Sequence, residues 1–169
     1  MKKLSLVLAI VVTFCSMAVA QNASVYTSTK TCRTLESHPD EAGWYRGRCP
    51  GVGGYQLDLT EGDLRQSLDV ITPSKKKLEL NFTSFYGNFS AIGEKVEWRV
   101  KRGVPFALIA RYNVADPEGG KNSHSYLIVS KIGPKESCVV DVIDPGPKQN
   151  EKARESADAA ATKPCKTND

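Results

Sequence analysis

Cysteine and histidine are the residue types in this sequence whose spacing could define a chemical site. Beyond the first 20 residues, four cysteines remain: Cys32, Cys49, Cys138 and Cys165. An even number of cysteines in an oxidising compartment predicts two disulfides. Of the three possible pairings we favour Cys32–Cys49 with Cys138–Cys165, because each closes a local loop. The chain has no Cys-x-x-Cys pair and its histidines are isolated, so no zinc or other metal site is predicted.

His124 is the strongest candidate for a catalytic base. It lies between two serines at the start of a predicted strand, and Asp141 or Asp144 on the next strand could complete a His–carboxylate pair. However, the chain has no Gly-x-Ser-x-Gly elbow, and oxidised cysteines are not nucleophiles. An envelope hydrolase using His124 is therefore the alternative hypothesis, and we assign no catalytic residue and no cofactor.

Aromatic residues and glycines between positions 44 and 55 form the candidate binding surface. The segment Cys49-Pro50-Gly51-Val52-Gly53-Gly54-Tyr55 is rich in glycine but lacks the spacing of a phosphate loop. A tight turn into a strand is the first interpretation, and the edge of a binding groove is the second. Aromatic side chains with polar rims are typical of recognition surfaces. The predicted surface consists of Trp44, Tyr45, Gly53, Gly54 and Tyr55.

The first 20 residues have the pattern of a signal peptide. Lys2 and Lys3 precede an apolar run, and Ala18-Val19-Ala20 provides small residues for cleavage before Gln21. A lipoprotein signal ending at Cys15 is the competing interpretation, but Phe14 is too large for the position before that cysteine. We therefore predict a periplasmic or secreted protein without a transmembrane anchor after cleavage.

The charge balance limits the possible partners. The formal net charge is +4, and two of the positive charges belong to Lys2 and Lys3 in the leader. This balance does not indicate a nucleic acid or an anionic membrane as the partner. A protein or a cell-envelope ligand is the expected partner.

The elements that must position these residues are mostly strands. Four apolar runs between Glu94 and Asp144 are separated by turn residues, and one of them, Phe106–Tyr112, is nearly continuous, as in a strand covered on both faces. The segment from Cys32 to Cys49 is expected to be loop-like. Residues 55–59 are expected to be a strand followed by a turn at Glu61-Gly62-Asp63. Residues 64–70 are expected to be the return strand, with one helical turn as the alternative, since Leu64, Leu68 and Ile71 would suit it. The predicted class is mainly β: an antiparallel sheet, sandwich or partly open barrel of about seven to nine strands.

The C-terminal segment changes to helical periodicity. Asn150 is the expected N-cap, and alanines at 153, 157, 160 and 161 form one stripe, which predicts a helix over about 150–163. Residues 21–165 are expected to form one domain, and residues 166–169 a disordered tail.

Several short motifs resemble those of a group of small exported bacterial proteins of unknown function. They are Cys49-Pro50-Gly51 with Gly53-Gly54-Tyr55, Glu61-Gly62-Asp63-Leu64-Arg65, Glu97-Trp98-Arg99, and Pro105-Phe106-Ala107 with Arg111-Tyr112. The resemblance covers about residues 26–165 and implies a periplasmic or secreted protein without assigning a catalytic residue.

The leading hypothesis is therefore an exported, non-enzymatic binding or interaction protein of the bacterial envelope. Small disulfide-bonded β domains also serve as enzyme inhibitors, so an inhibitor-like role is included by analogy of build alone.

Overall fold

A computed structural model describes residues 21–116, 118 and 123–167. This part of the chain contains ten strands, one α-helix and three short 3-10 helices. The strands are β1 (Ala23–Ser28), β2 (Arg33–His38), β3 (Trp44–Cys49), β4 (Gln56–Gly62), β5 (Arg65–Ile71), β6 (Lys77–Glu79), β7 (Ser90–Lys101), β8 (Val104–Ala115), β9 (Ser123–Lys131) and β10 (Cys138–Ile143). The helix α1 is Gln149–Asp158, and the 3-10 helices are Thr29–Thr31, Phe82–Ser84 and Ala160–Thr162. The predicted β-rich class with one C-terminal helix is confirmed.

The strands form one sheet in the order β10-β9-β8-β7-β5-β4-β3-β2, with β1 paired to β7 and β6 paired to β5. The sheet is not closed into a barrel, since β10 and β2 are its two ends in the described part of the chain. The pairings there are antiparallel except for one parallel bridge, Arg65 to Ser90, where the two halves of the sheet meet. Short hairpin links account for the antiparallel arrangement, because they reverse the chain between neighbouring strands.

Two apolar clusters lie on opposite faces of β8. The larger one contains Trp98 and Tyr112 together with Leu57 and Leu68 from β4 and β5. The smaller one contains Ala107 and Ile109 from β8 together with the alanines of α1. The near-continuous apolar run of β8 is explained by this burial on both faces.

Two local predictions in the N-terminal half are wrong. The segment between Cys32 and Cys49 is a hairpin of β2 and β3 rather than a loop, which raises the strand number to ten among the described residues. The turn after β4 is Asp63-Leu64 rather than Glu61-Gly62-Asp63, and both turn residues have positive φ, 50° and 57°. Residues with turn propensity, such as Glu61 and Gly62, therefore lie in a strand here because they pair with the neighbouring strand.

The C-terminal helix also differs from expectation. Asn150 is not the N-cap: that position is Lys148, which has φ 59° and makes no side-chain capping bond. The α-helix ends at Asp158, and a 3-10 turn continues the chain from Ala160 to Thr162. Lys166 does not follow the predicted disorder of the tail, since its N–H donates to the Val139 carbonyl at 2.7 Å.

The predicted cysteine pairing is confirmed. Cys32 is bonded to Cys49 beside the β2–β3 hairpin, and Cys138 is bonded to Cys165. The second disulfide fastens the segment after α1 to the edge strand β10. Two bridges thus hold the two ends of the sheet.

Candidate functional site

The side chains of the motif Glu97-Trp98-Arg99 on β7 point to opposite faces of the sheet. Successive residues of a strand point to opposite faces. Trp98 is fully buried in the larger cluster, and its indole N–H donates to Thr27 Oγ1 at 2.9 Å. Glu97 and Arg99 point to the other face, where α1 lies. The motif therefore supplies one core anchor and two charges for the helix.

Glu97 binds the helix through Arg154. Arg154 Nε donates to Glu97 Oε1 at 2.8 Å, and its terminal Nη2 donates to Oε2 at 3.2 Å. Ser24 Oγ donates to the same carboxylate at 2.5 Å. Burial acts to raise the pKa of Glu97, but the hydrogen bonds from Arg154 and Ser24 outweigh it and hold this pKa below its usual range. Glu97 is therefore held as an anion at the contact between β7 and α1.

Arg99 forms the second link to α1. Its Nε and Nη2 donate to the two carboxylate oxygens of Asp158 at 2.8 and 2.9 Å. Arg154 and Asp158 are one helical turn apart, so both pairs bind one face of α1. Two bidentate pairs thus fix the helix in position across β7.

Arg111 on β8 lies near the first turn of α1. Its Nη1 donates to Ser125 Oγ at 2.8 Å and to Gln149 Oε1 at 3.2 Å. Gln149 in turn donates to the carbonyls of Ser125 and Ile143. Among the residues that the structure describes, the Nε and Nη2 groups of Arg111 have no hydrogen-bond partner. Arg111 is thus positioned by its neighbours while two of its donor nitrogens are left for another group.

A cavity of about 300 Å³ lies between α1 and the sheet beside these residues. Ile109 and Leu127 form its apolar floor, and both are buried. Arg154 and Glu97 line it, and Lys95 Nζ lies 5.5 Å from the Tyr26 ring centre. The helix–sheet pocket, as we call it, is lined by Tyr26, Lys95, Glu97, Ile109, Arg111, Leu127, Asn150 and Arg154.

The charges of the helix–sheet pocket favour an anion. Three cations, Lys95, Arg111 and Arg154, face one carboxylate, Glu97, which Arg154 already neutralises. Within the described chain, Lys95 has no ion-pair partner. Guanidinium groups match the planar geometry of carboxylates and phosphates. The pocket can therefore hold a small anionic group above an apolar floor.

The structure does not bring the sequence-predicted binding surface together. Trp44 and Tyr45 begin β3, whereas Gly53, Gly54 and Tyr55 follow its other end, so the length of this strand, roughly 16 Å, separates the two groups. Tyr55 is buried in the larger cluster. A Cβ added to Gly53 would lie 2.7 Å from Pro105 Cδ, so this glycine permits close packing of the loop. The glycine-rich segment is thus a packed turn.

The structure does not form the predicted His124–carboxylate pair. His124 is exposed, and it makes no hydrogen bond to a carboxylate in the described ranges. Its ring lies 6.4 Å from that of Tyr126. Asp141 Oδ2 instead accepts bonds from Ser156 Oγ and Lys163 Nζ, both at 2.7 Å. Asp141 therefore serves to attach α1 and the segment after it.

Ser156 and Lys163 have the residue types of a serine–lysine pair, and Lys163 Nζ donates to Ser156 Oγ at 2.7 Å. A lysine that acts as a base must be neutral. Asp141 forms an ion pair with Lys163, whose Nζ lies 2.7 Å from Asp141 Oδ2. Burial acts to raise the pKa of Asp141, but the bonds from Lys163 and Ser156 lower it overall. This cluster is therefore suited to fastening the helix rather than to activating a nucleophile.

Glu136, Cys138 and Cys165 place ligand-type atoms within 4.8 Å of one another. Both cysteines belong to the same disulfide, so neither offers a thiolate to a metal. The group is structural in the oxidised protein.

Sequence reasoning missed Lys95, Arg111 and Arg154 as members of one site. A signal was present, since Arg111 interrupts an apolar run and Glu97 alternates with buried residues. A charge within a strand covered on both faces requires a partner or a pocket. The partner of Glu97 is Arg154 on α1, 57 residues further along the chain. Strand periodicity does not indicate such a distant contact.

Comparison with known proteins assigns no class to this chain. A scan of protein-family models, a search of curated proteins and a search of solved structures each found no match. In the described part of the chain, no helix has both the length and the apolar character needed to cross a membrane. The function must therefore be inferred from the site itself.

Proposed function

We propose that this chain is an exported, non-enzymatic binding protein of the bacterial envelope, and that it holds an anionic ligand in the helix–sheet pocket. The observation that carries the proposal is the set of free donors on Arg111 and Lys95, which face a concave site with an apolar floor. The two disulfides support the exported part, because such bonds persist in oxidising compartments.

The ligand class follows from the lining. Arg111 offers planar N–H groups, Lys95 offers a point charge, and Asn150 brings the first turn of α1 to the rim. The positive end of a helix adds a favourable field for an anion. A carboxylate or phosphate group attached to a small apolar body fits this combination. The cavity volume, about 300 Å³, restricts the bound part to a small molecule or one terminal group of a larger one.

The exposed position of His124 and the ion pair between Lys163 and Asp141 favour binding over catalysis. A binding protein needs fixed donors, and the donors here are fixed by Ser125, Gln149 and Glu97. Prior ordering lowers the entropic cost of binding. The pocket is thus built before its ligand arrives.

Thermal unfolding of the oxidised chain beginning at Gln21 tests this proposal. Inorganic phosphate and succinate are the probes, with sodium chloride at equal ionic strength as the reference. A ligand at 100 times its Kd stabilises by about 2.7 kcal/mol, which raises Tm by roughly 5–10 °C in a domain of this size. Arg111→Gln is expected to abolish the shift, whereas Arg33→Gln, at an exposed position on β2, is expected to retain it.

Three results would contradict the proposal. One is the absence of a specific shift with either probe at millimolar concentration. Another is an equal shift in the wild type and in Arg111→Gln. The third is loss of the shift in Arg33→Gln, which would place the anion outside the pocket.

A further inference from the structure

The geometry points to a second site at the tip of the β7–β8 hairpin, which docks on the surface of an anionic lipid bilayer. The hairpin turns at Arg102-Gly103, with φ 52° and 78°. Val104 follows the turn and is 62% exposed, more than any other large apolar residue in the described part of the chain. An exposed apolar side chain beside basic residues suits the interface of an anionic membrane, where apolar burial and attraction to anionic lipids act together.

An apolar groove of about 460 Å³ lies behind this tip. Phe106 contributes to it because the pairing of β7 and β8 shifts between Arg99–Ala107 and Val100–Pro105, which places an extra residue on β8. A bulge of this kind redirects a side chain. Phe106 consequently packs against the apolar cluster of α1 and stays half-buried in the groove. Ala161 also lines the groove.

The charge balance of the whole chain does not indicate an anionic membrane, but the local charges around this groove, which we name the hairpin groove, are complementary to an anionic surface. Lys101 and Arg102 line it, and both are exposed without an ion-pair partner in the described chain. Asp158 is the acidic residue in the lining, and Arg99 neutralises it through two hydrogen bonds. Each basic residue near an anionic membrane adds a favourable increment that salt screens.

The N-terminus created by cleavage of the leader adds to this positive charge. This one part of the inference rests on the proposed function, because it requires the protein to be exported. Asn22 lines the groove, and cleavage after Ala20 would leave a free ammonium group on Gln21, the preceding residue. Shape-dependent partners require a larger matched surface than this tip offers, whereas a bilayer accepts an apolar residue with two cations. The lipid surface is therefore the occupant that fits these observations.

Flotation with vesicles tests the inference. The oxidised chain beginning at Gln21 is mixed with vesicles of phosphatidylglycerol and phosphatidylcholine, and with phosphatidylcholine alone, at low and high salt. Binding is expected to increase with phosphatidylglycerol content and to decrease with salt. Lys101→Gln with Arg102→Gln is expected to lower the partition coefficient about thirtyfold, and Val104→Ser about tenfold.

Matched variants separate this site from general charge. Lys75→Gln with Lys135→Gln removes the same two charges at exposed turns away from the groove, and is expected to change partition less than threefold. Arg111→Gln removes a donor of the helix–sheet pocket and is expected to leave vesicle binding unchanged. A failure of the proposed anion site can therefore be distinguished from a failure of the hairpin groove. Circular dichroism confirms that each variant is folded.

The inference is overturned if the wild type stays unbound at high phosphatidylglycerol content, or if both double variants lose binding equally. It is also overturned if Val104→Ser abolishes a dimer in solution while vesicle binding is absent, because the groove would then be covered by a second copy.

Discussion

Glu97 on β7 and Arg154 on α1 form a bidentate pair across 57 positions of sequence, with hydrogen bonds of 2.8 and 3.2 Å. The pair forms one wall of the helix–sheet pocket and one attachment point of the helix. Fold and proposed function therefore depend on the same two side chains. A change in either is expected to appear in both stability and binding.

Glu97→Gln is expected to reduce stability at pH 7 by about 1.5–3 kcal/mol, since it removes hydrogen bonds between charged groups. The pKa of Glu97 is lowered in the folded protein, so its contribution is present above the unfolded pKa and lost as pH falls through the folded value. Urea unfolding at pH 7 and pH 3 measures this. The difference from wild type should be large at pH 7 and small at pH 3.

Glu36→Gln is the control for that measurement. Glu36 pairs with Arg46 at 2.6 Å, and both side chains are partly exposed, 46% and 33%. An exposed pair contributes about 1 kcal/mol or less. Equal losses in the two variants, or a Glu97→Gln loss that does not change with pH, would contradict the assigned role.

Asp69→Asn is expected to raise stability at pH 7. Asp69 lies directly opposite Asp58 on β4, and burial raises its pKa although Lys77 at 3.2 Å partly offsets this. A raised folded pKa means that ionisation opposes folding, so the cost is absent below the unfolded pKa and appears as pH rises through the folded value. The gain of the variant should therefore disappear near pH 3.

Asp58→Asn is the matched change and should have the opposite sign. Its side chain is 1% exposed, and Arg48 binds it through both carboxylate oxygens. Loss of a charge-assisted pair costs about 1.5–3 kcal/mol. Urea midpoints that shift in the same direction for both variants would refute the distinction drawn between these two neighbouring carboxylates.

Gly53→Ala is expected to lower stability by more than 1 kcal/mol, because the residue has φ 61° and the new Cβ would meet Pro105 at 2.7 Å. Gly87→Ala is the control, since an added Cβ there meets nothing within 4 Å. Thermal unfolding compares the two. A smaller loss at Gly53 than at Gly87 would argue against close packing of the loop.

Loss of the Cys138–Cys165 bridge should release α1 before the sheet. Its loop spans 27 residues, and the chain-entropy relation gives about 3.5 kcal/mol. The alanine face of α1 buries little area, so the helix depends on its pairs and on this bridge. Cys138→Ser with Cys165→Ser is expected to reduce hydrogen-exchange protection over 149–158 first. Cys32→Ser with Cys49→Ser should leave that order unchanged.

The strand pattern and the disulfides could be predicted because their causes are local. Apolar alternation at Val96, Trp98 and Val100 and the continuous run of β8 have the periods that strands require. With four cysteines, the favoured pairing followed from loop length. By contrast, the hairpin of β2 and β3 was missed because β2 is mostly polar and exposed, and cross-strand pairing with β3 stabilises it.

The sequence by itself determined a β-rich body with a C-terminal helix and two disulfides, because periodicity and cysteine number act along the chain. Only the tertiary structure decided where charges meet. Arg111 and Arg154 share a pocket because α1 folds back over β8, and Trp44 is separated from Gly53 because a whole strand lies between them. A binding site depends on which faces pack together, and residue spacing within one element does not contain that information.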